Sequence, residues 1–75
     1  DGDIIVRARV DLRKLCAKLD IPWDPEIESS TVGGLIAEEL DRIPVAGDSI
    51  DWNGYRLEVL RADERRAKLL RVTRS

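Results

Sequence analysis

This chain of 75 residues contains no histidine, no methionine and no phenylalanine, and it has a single cysteine. Without histidine, neither a Ser/His/Asp nor a Cys/His arrangement can form, and a zinc site loses its usual ligands. Hydrolytic catalysis of those kinds is therefore excluded, and we expect no enzyme activity. A single cysteine cannot form an internal disulfide, and Cys16 falls where a helix should face the core, so we interpret it as a small buried hydrophobic residue.

Long hydrophobic runs are also absent. The longest apolar runs are a few residues, well short of the roughly 18 to 20 that cross a bilayer, and we expect no signal peptide before Asp1. We expect no direct membrane insertion and assign any membrane connection to sequence outside these residues. Hydrophobic residues make up 43% and charged residues 37% of the chain, which indicates one soluble globular domain over residues 1–75.

The net charge of −2 is unevenly distributed. Residues 20–51 hold nine acids and one base, a net −8, whereas residues 61–75 hold six bases and two acids, a net +4. We interpret the basic C-terminal residues as a solvated strand surface and expect no nucleic-acid partner, because the pI is about 5.1 and aromatic residues are only 4% of the chain.

The first 20 residues predict a strand followed by a helix. From Ile4 to Val10 apolar and polar residues alternate, which is the period of a half-buried strand. Asp11 has the side chain favoured at a helix N-cap, and Pro22 ends the helix. The apolar positions of this predicted helix follow helical spacing and are Leu12, Leu15, Cys16 and Leu19.

The next stretch, from Pro22 to Ser30, has two prolines and no clear period. It predicts a loop that is anchored on the core by Trp23 and Ile27. The alternating acids Asp24, Glu26 and Glu28 suggest a divalent-metal site, but the stretch lacks the glycine and Asp/Asn pattern of a calcium loop. We therefore interpret these acids as solvated.

A second helix is predicted from Thr31, as its N-cap, to about Arg42, where Pro44 stops it. Its apolar stripe consists of Val32, Leu35, Ile36, Leu40 and Ile43. The paired Gly33 and Gly34 in its first turn each cost about 1 kcal/mol relative to alanine. Close backbone packing or an anion at the helix start would explain them. We favour packing, because the lysine of a P-loop and the full dinucleotide-binding spacing are missing.

Two hairpins are predicted after a turn at Ala46-Gly47-Asp48. Asn53-Gly54 is a strong signal for a two-residue turn, which pairs Trp52 with Tyr55. Its other expected pairs are Asp51 with Arg56 and Ile50 with Leu57. A further hairpin around Glu64-Arg65 should pair Val59 with Leu70, Leu57 with Val72 and Glu58 with Arg71. Leu60 and Leu69 are then left together on the polar face as a small exposed patch. The predicted fold is thus α+β, with a small antiparallel sheet and two short helices on one face.

The residues TVGGLIAEELDRIPVAGDSI, from Thr31 to Ile50, resemble the transporter-associated domain of CorC and hemolysin C (TlyC) type proteins. The most specific positions are Thr31, Gly34, Leu40, Ile43-Pro44 and Gly47-Asp48 at these spacings. The resemblance covers nearly the whole chain, from Asp1-Gly2 and the first strand to the closing strands between Asp51 and Val72. One departure is Glu64, where the family often has a glycine in the last turn.

This resemblance implies a fold similar to the FAD-binding and transporter-associated domain group, near the C-terminus of a longer bacterial chain. CBS domains, and in many members a transmembrane domain of the same protein, are the implied partners. They would hold the domain at the cytoplasmic side of the membrane. The implied function is regulation of magnesium or cobalt transport. The resemblance transfers no catalytic, cofactor-binding or metal-binding residue, and fold similarity alone establishes no flavin.

Two function hypotheses follow. The first is a non-enzymatic regulatory or interaction module that works through its surfaces, with homodimerisation left open. The alternative is a sensor that binds a flavin or an adenine nucleotide near Thr31 to Gly34. A toxin, suggested only by the hemolysin name, is disfavoured because the chain has no exposed amphipathic membrane-inserting segment.

Overall fold

The computed structural model describes residues 3–74, which form two helices and a four-stranded antiparallel sheet. In chain order the elements are β1 (Ile4–Arg7), α1 (Leu12–Leu19), α2 (Val32–Leu40), β2 (Ser49–Trp52), β3 (Tyr55–Ala62) and β4 (Ala67–Arg74). The strand order is β1-β4-β3-β2. The first strand therefore pairs with the last. This confirms the predicted α+β architecture.

The core lies between the two helices and one face of the sheet. Its fully buried side chains come from both helices and from the two central strands, and they include Leu12, Leu15, Ile36, Leu57, Val59, Leu70 and Val72. Cys16 is also buried, and Trp23 and Ile27 of the loop pack against this core, both as predicted. The interior is entirely apolar, because no polar or charged residue among residues 3–74 is buried.

The strand β1 is shorter than the predicted Ile4 to Val10 and ends at Arg7. The backbone turns there, since the N–H of Val10 donates to the carbonyl oxygen of Arg7 at 3.0 Å. The alternation of burial nevertheless continues, with Ala8 buried and Arg9 exposed. The alternation of apolar residues thus predicted which side chains face the core, but not the residue at which the pairing of β1 with β4 ends.

Both helices begin at the predicted caps and end on aspartates. The side chain of Asp11 accepts from the backbone N–H of Arg13 at the start of α1. Asp20 and Asp41 follow the last residues of α1 and α2 with φ of 59° and 56°, the left-handed conformation in which helices commonly end. The prediction that the second helix reaches Arg42 is therefore wrong. Ile43, assigned to its apolar stripe, lies beyond the helix and is 52% exposed.

The first hairpin has the predicted register. Trp52 pairs with Tyr55, Asp51 with Arg56 and Ile50 with Leu57. Asn53 and Gly54 have φ of 52° and 82°, and positive φ at both central residues is what this tight turn requires.

The second hairpin is irregular where a simple ladder was expected. The pairs Leu57–Val72, Glu58–Arg71 and Val59–Leu70 form as predicted, but the register shifts beyond Val59. Arg61 rather than Leu60 lies opposite Leu69. The turn has no left-handed glycine. Instead, Asp63 Oδ1 accepts the backbone N–H groups of Arg65 and Arg66, each at 2.8 Å, so an aspartate side chain closes the turn that contains Glu64.

Candidate docking grooves

The paired glycines of α2 bring its first turn against the backbone that follows β1. A Cβ on Gly33 would lie 2.8 Å from Ala8 Cβ and 3.2 Å from the Ala8 carbonyl oxygen. Real side-chain carbons essentially never approach another atom as closely as the first distance, so this position requires glycine. The predicted close packing is confirmed at Gly33, although the partner is the turn after β1 rather than a strand.

The start of α2 offers no free backbone donor to an anion. The N–H groups of its first turn bond within the protein: Val32 to Val10 O (3.0 Å), Gly33 to Ala8 O (2.8 Å), Gly34 to Thr31 Oγ1 (3.0 Å) and Leu35 to Thr31 O (3.1 Å). A helix start binds anions through exposed N–H groups of this kind. The hypothesis of a flavin or nucleotide held at Thr31 to Gly34 therefore gains no support from the helix start.

A first groove of about 730 Å³ opens beside this helix start. Small residues of α2 line it, and so do cations from three separate parts of the chain: Arg7 and Arg9, then Arg42, then Arg65, Arg66 and Lys68. All six cations are exposed. Among residues 3–74, the one acidic residue that lines this groove is Asp41. The groove therefore carries an excess of positive charge in a domain whose net charge is −2.

A second groove of about 750 Å³ lies on the outer face of the sheet. Arg7 and Lys68 line both grooves, so the two are adjacent and share a basic wall. The second groove adds Arg61 and the half-buried Leu60 and Leu69. The two leucines do lie together, as predicted. They form a half-buried apolar patch beside the shared cations rather than an exposed one.

One of these cations is fixed in place. Arg42 forms a two-pronged ion pair with Asp48, both N–O distances being 2.8 Å, and Asp48 also accepts the backbone N–H of Val45 at 2.9 Å. The hydrogen bond from Arg42 is the main reason why the pKa of Asp48 is lowered, and the N–H of Val45 adds to it. The pair joins the end of α2 to the turn before β2 and keeps Arg42 at the groove.

Asp63 has a similar role at the other wall. The backbone N–H groups of Arg65 and Arg66 lower its pKa, and its second carboxylate oxygen lies 3.6 Å from Lys68 Nζ. The carboxylate therefore holds the turn that presents Arg65 and Arg66 to the first groove.

Residues 3–74 contain no group of three or more Cys, Asp or Glu side chains that could hold a metal ion. Asp24, Glu26 and Glu28 are exposed, as predicted for a solvated loop. The Cys16 thiol is buried, and this burial raises its pKa, which makes the reactive thiolate scarcer. Over the same part of the chain, no helix is long and apolar enough to cross a membrane.

Sequence reasoning missed the first groove. Its signal was the +4 excess of residues 61–75, which we interpreted as solvated strand residues. Arg7 and Arg9 lie in the first groove with Arg65 and Arg66 because β1 pairs with β4. No local sequence pattern predicts that strand pairing.

This helix and sheet arrangement is shared with domains that accompany transport proteins. The sequence model of the CorC_HlyC transporter associated domain matches residues 1–75. The chain belongs to that family.

Three similar proteins show the names that relatives of this chain carry. The chain is 37% identical over 69 residues to the magnesium and cobalt efflux protein CorC of Buchnera aphidicola subsp. Baizongia pistaciae, covering 92% of this chain and 24% of that protein. It is 33% identical over 60 residues to hemolysin C of Brachyspira hyodysenteriae, covering 80% of this chain and 22% of that protein. It is 28% identical to the protein YegH of Escherichia coli K12, and the match covers 96% of this chain and 14% of that protein. The chain thus spans no more than a quarter of these relatives.

Solved structures of the family superimpose closely. The CorC-associated region of Neisseria meningitidis has a TM-score of 0.91 at 29% identity, covering 100% of this chain and 91% of that one. A Xylella fastidiosa domain, solved in complex with Mg²⁺ and Mn²⁺, has a TM-score of 0.86 at 27% identity, covering 100% and 90%. A domain from a CBS domain protein of Porphyromonas gingivalis shares the fold, with a TM-score of 0.83 at 24% identity, covering 99% and 90%. Since these solved chains are hardly longer than the matched domain, domains of this family fold on their own.

Proposed function

We propose that this domain is a non-enzymatic regulatory module of a longer CorC or hemolysin C-like protein and that it modulates the transport of divalent cations, magnesium or cobalt. The observation that carries the proposal is the match to proteins named for magnesium and cobalt efflux, of which the domain is only a small part. A domain that occupies about a quarter or less of such a protein acts on the remainder through its surface. The neighbours we propose are CBS domains and a membrane domain of the same polypeptide.

The surface features of the described residues support a module of this kind. Two adjacent grooves with a common basic wall lie outside the apolar core. The sensor alternative lacks comparable support, because the N–H donors at Thr31 to Gly34 are already bonded.

Deletion of the domain from the longer protein tests the proposal. In a bacterium that lacks its own CorC, the intact protein and the deletion variant would be compared by cobalt tolerance and by the release of radioactive or fluorescently reported Mg²⁺. We expect transport to persist but to change its dependence on the internal cation concentration. Identical transport curves for the two proteins, at equal expression, would refute a regulatory role.

Calorimetric titration of the isolated domain with FAD, ATP, AMP and Mg²⁺ tests the alternative. We expect no saturable binding in the micromolar range. Such binding by FAD or an adenine nucleotide would favour the sensor hypothesis.

A further inference from the structure

We propose that the two grooves form one continuous docking strip for an acidic, partly apolar segment of the polypeptide that carries this domain. This inference rests on the proposed function and names the surface through which the module would act. The strip is defined by Arg7, Arg9, Arg42, Arg61, Arg65, Arg66 and Lys68, with Leu60 and Leu69 at one end.

The charge of the strip favours an anionic occupant. Seven cations line it, together with the acids Asp41 and Asp63. Arg42 is already paired with Asp48, and Lys68 lies 3.6 Å from Asp63 Oδ2. Among residues 3–74, the cations that remain for an occupant are Arg7, Arg9, Arg61, Arg65 and Arg66. The Asp63 carboxylate already accepts two backbone N–H groups. Like charges that line the same groove repel one another, and an ion pair with a carboxylate relieves that repulsion. Arginine is suited to the task because its planar fork binds a carboxylate with two hydrogen bonds.

The shape of the strip favours a polypeptide over a small ligand. Small-molecule sites enclose most of their ligand and fix it with a few convergent polar groups. Here the cations of the first groove are all exposed, and the backbone donors at the start of α2 are bonded internally. The two grooves, of about 730 and 750 Å³, meet at Arg7 and Lys68. The longest dimension of the domain is 31 Å, so an extended segment of about ten residues is long enough to cross both grooves.

The apolar end of the strip distinguishes an acidic polypeptide from a nucleic acid. Leu60 and Leu69 offer a half-buried patch to an apolar side chain, and Ile43, 52% exposed, adds a second apolar contact at the first groove. A single-stranded nucleic acid binds through bases stacked on aromatic side chains, and no aromatic residue among residues 3–74 lines either groove. An acidic segment with interspersed apolar residues matches both features.

A segment of the same polypeptide needs little intrinsic affinity. The relatives extend far beyond the matched domain, which covers 14% to 24% of them. A tethered segment has an effective concentration in the millimolar range when its linker is short. Individually weak, exposed ion pairs are then sufficient for docking, and the contact stays reversible, as regulation requires.

The test is a titration of the isolated, ¹⁵N-labelled domain followed by NMR. The probe is a synthetic peptide of about ten residues that consists of Asp and Glu with interspersed Leu. The matched control peptide has Lys in place of each Asp and Glu. We expect saturable amide shifts at Ala8, Gly33, Gly34 and Leu69 with the acidic peptide and none with the basic one. Scattered shifts that do not saturate, or no shifts, would overturn the proposal.

Two double variants that lower the net charge by the same amount test whether binding depends on the cations of the strip or only on the overall charge of the domain. R65Q/R66Q removes two cations of the first groove and keeps the backbone N–H groups that bond Asp63. R56Q/R74Q removes two exposed arginines that line neither groove. We expect the first to weaken peptide binding about tenfold and the second to leave it within about twofold. Equal weakening by both would overturn the proposal, and unchanged spectra elsewhere verify folding.

Competing ligands are further arms of the same titration. ATP or a single-stranded oligonucleotide that binds the strip more tightly than the acidic peptide would overturn the polypeptide assignment. The domain-deletion experiment keeps the two proposals apart. If deletion changes transport but the peptide does not bind, only the docking strip fails, whereas peptide binding without any effect of deletion leaves the strip and removes the regulatory function.

Discussion

Gly33 donates its backbone N–H to the carbonyl oxygen of Ala8 at 2.8 Å, at the point where the first turn of α2 meets the turn that follows β1. The adjacent N–H of Val32 bonds to Val10 at 3.0 Å. An isolated bridge between Asp11 and Thr31 then connects the N-caps of the two helices. The glycine therefore serves the fold, because it lets two segments that are distant in the sequence share backbone hydrogen bonds. It also forms part of the lining of the first groove.

Replacing Gly33 with alanine should destabilise the domain by up to about 2 kcal/mol, because overpacking costs about 1 to 3 kcal/mol and the gain in helix propensity returns about 1 kcal/mol. The new Cβ would lie 2.8 Å from Ala8 Cβ, and this overpacking outweighs the gain of about 1 kcal/mol in helix propensity. Gly34→Ala is the matched comparison. Its Cβ would lie 3.1 Å from Thr31 Oγ1 and 3.2 Å from Ser29 Cβ, contacts that a small shift of those side chains relieves. Urea unfolding should rank Gly33→Ala as the less stable variant, and the opposite order would contradict the packing argument.

The sequence predicted those features whose cause is local. Asn53-Gly54 specifies its own turn, so the register of the first hairpin followed from two residues. The end of α2 was misjudged because Asp41 adopts the left-handed conformation without being a glycine, and this removed Ile43 from the helix. The bulge at Leu60 could not be predicted, because residues 60–62 fit the alternation of a regular strand.

The basic strip could not be predicted because it depends on topology. Arg7 and Arg66 are 59 positions apart and meet only because β1 pairs with β4 at the edge of the sheet. In the sequence, Arg7 and Arg9 have only the alternating pattern of the polar face of a strand.

Asp20→Gly should stabilise the domain by up to about 1 kcal/mol. Asp20 adopts φ of 59° at the end of α1, a conformation that costs an L-residue energy and that glycine adopts readily. Its negative charge also opposes the helix dipole at the C-terminus. Asp20→Asn removes only the charge, so thermal unfolding should give it a smaller gain. A loss of stability in Asp20→Gly would show that the carboxylate has a stabilising contact.

Cys16 should resist thiol reagents in the folded domain. It is 3% exposed, and burial raises its pKa, so both access and thiolate formation are suppressed. Labelling with a chromogenic disulfide at neutral pH should proceed only as fast as the domain opens, and it should become rapid in urea. Native-state labelling at the rate of a free thiol would mean that α1 separates from the sheet far more often than a packed core allows.

The domain should lose stability in acid partly through Asp48. The hydrogen bond from Arg42 and that from the Val45 N–H lower the pKa of Asp48 below its ordinary value of 3.8. A carboxylate whose pKa is lower in the folded than in the unfolded state stabilises the fold above the unfolded pKa, and this contribution disappears as the pH falls through the folded pKa. Asp48→Asn should therefore be less stable than the wild type at neutral pH, with the difference shrinking below pH 3.8.

Urea unfolding of both proteins across this pH range measures the effect. Asp63, whose pKa is lowered by the N–H groups of Arg65 and Arg66, remains in Asp48→Asn, so some acid dependence should persist. The remaining decrease in unfolding free energy with falling pH should be smaller in the double variant D48N/D63N, because that variant lacks both carboxylates with lowered pKa values. If Asp48→Asn lost as much stability on acidification as the wild type, the ion pair between Arg42 and Asp48 would contribute nothing to the fold in solution.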